Sequence, residues 1–149
     1  MQLIRELKDL LEVEYLYLVP EQPGDFTGHS DGMVRFVDNQ NLLINNYSQD
    51  KKEFKRAFEI AIHNTGLDYI KIPYNPYNNK NYNQANGDYI NYLQMKDIVI
   101  IPTFGMKEDD EAMKLFGETF SGKTIASLES NEIANDGGIL NCISWNILT

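Results

Sequence analysis

The sequence predicts an α/β protein of one domain, residues 1–149, built from about two strand-strand-helix-strand units. A helix and a strand precede the units, and a terminal strand follows them. Three observations predict this. Segments with apolar residues at helical spacing alternate with short β-branched runs. The alternation occurs twice, at an offset of about 56 residues, as internal repeats do. A chain of 149 residues with 42 % hydrophobic and 23 % charged content also has the size to bury one core.

Leu3, Ile4, Leu7, Leu10 and Leu11 recur at helical spacing between charges, so residues 2–12 read as an amphipathic helix. Glu14 to Val19 reads as a strand, broken by Pro20, Pro23 and Gly24. The loop then runs into Gly28-His29-Ser30-Asp31-Gly32. Residues 33–37 and 41–46 are two strands joined by Asp38-Asn39-Gln40, a hairpin-like connection. Asp50 and Glu53 open a helix that continues to about Asn64, with Phe54, Phe58, Ala61 and Ile62 on one face and Gly66 as terminator. Asp68 to Ile72 is a short strand.

Residues 73–88 form a long loop rich in Asn, Tyr and Pro, with Asn78, Asn79 and Asn81 together. Its Tyr74, Tyr77 and Tyr82 suit a cover over a ligand and equally a polar insertion without a role. The order then repeats. Residues 89–94 and 98–101 are strands, 108–120 a helix with Ala112, Phe116 and Phe120 on one face, and 124–128 a strand. Leu42-Leu43-Ile44 falls on Ile98-Val99-Ile100, and 68–72 falls on 124–128. A unit that covers one sheet face with one helix gains by stacking against copies of itself, so the set reads as an excerpt from a longer ring or array.

The net charge of −9 argues against nucleic acid, whose phosphates need a basic patch, and mildly favours cationic ligands. One cysteine makes no internal disulfide. One Cys with two His, lacking ligand spacing, supplies no metal site, and no cofactor motif occurs. The first residues mix charges among apolar ones and do not read as a signal peptide. No run approaches a membrane span. A cytoplasmic protein is the default expectation.

Residues 136–147, Asp-Gly-Gly-Ile-Leu-Asn-Cys-Ile-Ser-Trp-Asn-Ile, contain the only cysteine and the only tryptophan. Gly137 and Gly138 before an apolar run describe a tight entry into a buried strand, with Cys142 just past a point of close backbone approach. An unpaired cysteine in such a strand is often a small hydrophobe. It becomes a nucleophile when a base stands near. His29 and Asp31 offer a base and a carboxylate, although each also suits a plain turn. His63, off its helix's apolar face near the C-terminus, suits the helix dipole and takes no catalytic role. Trp145 and Asn146 read as core and edge residues.

Taken in order, Gly28-His29-Ser30-Asp31-Gly32 with Arg35-Phe36-Val37 resembles the Gly-His-x-Asp segment of agmatine deiminases and Porphyromonas-type peptidylarginine deiminases. Tyr89-Ile90-Asn91-Tyr92-Leu93, Ile100-Ile101-Pro102-Thr103-Phe104-Gly105 and Glu132-Ile133 resemble later segments of the same family. The resemblance implies a pentein-type α/β propeller, of which this chain matches the carboxy-terminal half. It implies Cys142 as nucleophile, His29 as general acid and base, and Asp31 as the carboxylate that holds a guanidinium group. Gly138 and Asn141 would line the substrate.

The implied reaction is hydrolysis of agmatine or peptidyl arginine to a ureido product and ammonia, without cofactor or metal. Amidino transfer and a non-catalytic binding or assembly module are the alternatives. Two positions depart from the family pattern before the cysteine, where Ile139 replaces an Asn and Asn141 replaces a His. Family members are more than twice as long, and their amino-terminal half carries a further guanidinium-binding carboxylate. A complementing amino-terminal half or a second copy of the chain is therefore an expected partner, besides a small cationic substrate.

Overall fold

A computed structural model describes residues 2–25, 28–77, 84–145 and 147. Asn78, Asn79, Asn81 and Tyr82 of the long loop, and Asn146, lie outside the described residues. The elements in chain order are α1 (Gln2–Leu11), a 3-10 turn (Ser30–Gly32), β1 (Val34–Phe36), β2 (Asn41–Asn45), α2 (Lys52–His63) and β3 (Asp68–Ile72). There follow β4 (Leu93–Gln94), β5 (Ile98–Thr103), α3 (Glu108–Thr119), β6 (Thr124–Glu129) and α4 (Asn131–Ala134).

The strands form two three-stranded sheets, β1-β2-β3 and β4-β5-β6. In each, the first pair is antiparallel and the second parallel, with a helix making the parallel crossover. The helices begin at 52 and 108 and the closing strands at 68 and 124, the same interval, so the repeat in the sequence is a repeat in the fold. This is the α/β architecture that the alternation predicted.

Strand periodicity sorts the core. On β2, Leu42 and Ile44 face α2 and bury against Phe58 and Ile62, together with Met33, Tyr47 and Tyr74. Leu43 points the other way and joins Ile72 in a second cluster with Val99, Ile101, Ala112 and Phe116 of the second unit. The two units therefore share an interior, and Leu43 and Ile72 are fully enclosed by it.

Three segments depart from expectation. Glu14–Val19 joins no ladder, and Tyr15 and Leu18 are each 65 % exposed; a β-prone composition makes no strand without an adjacent edge to pair with. Only Leu93 and Gln94 of residues 89–94 pair as a strand. Tyr89, Ile90 and Tyr92 are buried, but the carbonyls of Ile90 and Tyr92 are taken by Nη1 of Arg35, whose guanidinium also lies 3.9 Å over the Tyr92 ring. The backbone is satisfied by a side chain instead of a neighbouring strand.

The third departure concerns residues 139–147. Ile139 and Leu140 are buried, but the chain then turns back on itself, with Ile143 N–H bonding to Ile139 C=O and Ser144 N–H to Asn141 C=O. Among the described residues no terminal strand forms, and Trp145, expected in the core, is 91 % exposed. His63, the last residue of α2, is exposed.

Replacing Arg35 by Met keeps its bulk and removes the donors. Stability should fall by about 2 kcal/mol, because two carbonyls lose their partner. Arg35→Lys should restore little, since an ammonium cannot both stack on Tyr92 and reach two acceptors. Urea midpoints of the three chains decide this.

Candidate active site

The turn that carries His29 and Asp31 is fixed at both ends. His29 N–H donates to Asp25 Oδ2 at 2.8 Å, and Met33 N–H closes the 3-10 turn onto Ser30 C=O at 3.0 Å. Met33 is driven into the α2 core, so the turn is anchored below while Asp31 stands half-buried and His29 exposed. A cavity of about 340 Å³ opens beside it, lined by Val19, Pro20, Glu21, Gln22, Gly28, Ser30 and Met33.

Far along the chain, Gly137 at φ 87° turns the backbone into the cysteine loop. A Cβ on Gly138 would come within 2.8 Å of Cys142 Cβ and 3.3 Å of Sγ, so glycine is what lets the thiol lie against the backbone. Cys142 is exposed. It sits in a turn, not a buried strand, which leaves its sulfur open to a ligand.

Asn91 and Asn141 join the two regions. The buried Asn91 accepts at Oδ1 from Asn141 N–H at 2.9 Å and from Cys142 N–H at 3.4 Å. Its Nδ2 donates to Cys142 Sγ at 3.1 Å. Asn141 in turn donates from Nδ2 to Asp31 Oδ2 at 2.9 Å. Residues near opposite ends of the chain are thus linked, with the Asp31 carboxylate one residue's bond from the thiol-bearing loop.

Asp31, Gly138, Asn141 and Cys142 are brought together, and His29 lies two residues before Asp31 on the same turn. Sequence reasoning missed Asn91, Asn45 and Asp88. Asn91 lies within Tyr89-Ile90-Asn91-Tyr92-Leu93 with no chemistry of its own to mark it, and Asp88 after Gly87 reads as an ordinary loop residue.

Asp88 is the one buried carboxylate among the described residues. Burial pushes it up to about 7; Asn45 and the Ile90 N–H pull the other way, Asp31 adds to the rise and Arg35 opposes it. The buried phenols of Tyr47 and Tyr74 are raised by burial first and then by the charge of Asp88. Among the described residues no cluster of His, Cys, Asp and Glu could hold a metal ion.

The two mixed three-stranded sheets, each closed by a crossover helix, match part of the fold of solved pentein deiminases. Residues 1–147 match the model of Porphyromonas-type peptidyl-arginine deiminase, and the chain belongs to that family. No curated protein matches it in sequence.

Among solved structures it is similar to C. jejuni agmatine deiminase, with TM-score 0.76, 18 % identity and coverage of 95 % of this chain and 44 % of the other. A C. jejuni agmatine deiminase variant with substrate bound gives 0.71, 18 %, 94 % and 44 %. The agmatine deiminase of Enterococcus faecalis gives 0.72, 20 %, 95 % and 46 %. The chain therefore spans less than half the length of these relatives. At such identities the likeness is one of fold. No described helix is long and apolar enough to cross a membrane.

Two outcomes follow. Gly138→Ala should lower stability by about 2 kcal/mol through the clash with Cys142, whereas Gly117→Ala, in open space on α3, should raise it by about 0.5–1 kcal/mol. Denaturant midpoints measure both. Asp88 in the folded chain keeps a proton that the unfolded chain releases near pH 4. Its burial therefore costs stability increasingly as pH rises from about 4 to about 7, and no further above that. Measured against wild type, Asp88→Asn should gain stability across that interval and then plateau.

Proposed function

We propose that the chain is the thiol-bearing half of a guanidino-group deiminase, with Cys142 as nucleophile, His29 as general acid and base, and Asp31 as guanidinium anchor. The observation that carries this reading is the Asn141–Asp31 hydrogen bond beside the Asn91–Cys142 contact, which joins acid and thiol across the chain.

In the proposed reaction the sulfur attacks the guanidinium carbon and forms a C–S bond. The C–N bond to one terminal nitrogen then breaks, and His29 protonates it as it leaves as ammonia. Water, deprotonated by His29, attacks the resulting amidino-thioether, and the C–S bond breaks to give a ureido product and free thiolate. Asp31 holds a planar cation through charge-assisted bonds, so that the carbon stays within reach of the sulfur. Asn141 and Gly138 border that position. Agmatine and peptidyl arginine both present the required group.

A second reading, a binding half that acts only in a completed assembly, has its own support. The amphipathic α1 buries no residue; Leu3 is 67 % and Leu10 78 % exposed. With Ile143, Trp145 and Ile147 also exposed, apolar surface is left that a complementing half or a second copy would cover.

Alkylation of Cys142 by chloroacetamidine, a cation shaped like guanidinium, against neutral chloroacetamide tests the deiminase reading. The cationic reagent should react at least tenfold faster, after allowing for intrinsic reactivity. Asp31→Asn should abolish that preference, and His29→Gln should slow both reagents. Equal rates for the two reagents with the wild-type chain favour the binding half.

A further inference from the structure

The deiminase reading makes no use of Asp88. Its Oδ1 accepts from Asn45 Nδ2 at 3.2 Å, and the same Nδ2 donates to Gly32 C=O at 2.7 Å, which fixes the orientation of the Asn45 amide. Asp88 Oδ2 lies beneath Gly32, where a Cβ would meet it at 3.3 Å. Asp88 therefore sits under the turn that presents Asp31.

This enclosed spot holds more acceptors than donors. Among the described residues, the donors to the two Asp88 oxygens, the Gly32 carbonyl and Asn45 Oδ1 are the Asn45 amide hydrogens and the Ile90 N–H. Asn45 Oδ1 has no hydrogen-bond partner among the described residues. The charged and titratable groups around Asp88 are Asp31, Arg35, Tyr47 and Tyr74. Arg35 is committed to the carbonyls of Ile90 and Tyr92, and the Tyr47 hydroxyl donates to Gln22. The cluster is short of positive charge, and a cation against Asp31 would supply it.

Building on the deiminase reading, we propose that Asp88 is a positioning carboxylate of the guanidinium site, adding a second negative charge from beneath Asp31's turn without touching the cation. This charge is one that the sequence alone does not lead one to expect in this half of the fold. Since Asp88 gains its charge by releasing a proton, cation binding and proton release are linked in both directions. Where Asp88 is protonated, Asp31 attracts the cation alone; where it is ionised, both do.

The test uses agmatine as probe and the full chain carrying Cys142→Ser, which prevents turnover. Calorimetric titration at pH 6 and pH 8, in pairs of buffers with different ionisation enthalpies, gives affinity and protons released. Affinity should rise roughly tenfold between the two pH values, with proton release near pH 7. Adding Asp88→Asn should hold affinity at the low-pH level throughout and reduce the proton release. Both chains keep His29, so its contribution cancels in the comparison. If Asp88→Asn fails to fold, Asp88→Ser carries the same expectation.

A pH step that survives the Asp88 substitution overturns this inference and leaves the deiminase reading standing. So does an equal loss of affinity at both pH values, which marks a purely structural role. Absence of agmatine binding by the chain with Asp88 intact at either pH overturns both.

Discussion

Asn91 holds the meeting point of two segments that are far apart in the chain. Its amide accepts two backbone N–H groups of the cysteine loop and donates to the sulfur, so it fixes both the loop and the thiol it carries. Asn91 is itself held, because the carbonyls of the residues on either side of it belong to Arg35. Arg35 comes from β1, the strand that directly follows the Asp31 turn. The acid and the thiol are thus positioned by one continuous set of bonds, and loosening any member would release both.

Much of the fold was legible because periodicity survives without knowledge of partners. Phe54, Phe58 and Ile62 at helical spacing, and Leu42-Leu43-Ile44 followed by a helix and another strand, specify a unit whether or not its neighbours are known. The failures share a cause. Residues 14–19 and 139–147 have the composition of strands, but a strand exists only where an edge accepts it, and that is a tertiary fact. Tyr89 to Tyr92 looked like a strand for the same reason, and Arg35 satisfies its backbone instead.

The site was legible in part, and the boundary is informative. Cys142, His29 and Asp31 stand out because thiol, imidazole and carboxylate are scarce or recognisable in their glycine-rich settings. Asp88 does not, since nothing in a local sequence says that a carboxylate after Gly87 will be enclosed by Asn45, Gly32 and two tyrosines. Asn91 is the intermediate case: its segment is recognisable in sequence, while its contact with sulfur exists only in the fold. The strongly acidic composition suggested cationic ligands only weakly. Asp88 and Asp31, close enough for the charge of one to act on the other, concentrate part of that acidity around a single turn.

Leu43 and Ile72 of the first sheet complete the interior of the second unit. The repeats are alike in pattern but are not independently foldable parts. Either one cut free would expose a face that its twin is built to close, and heating the intact chain should melt both in one cooperative step.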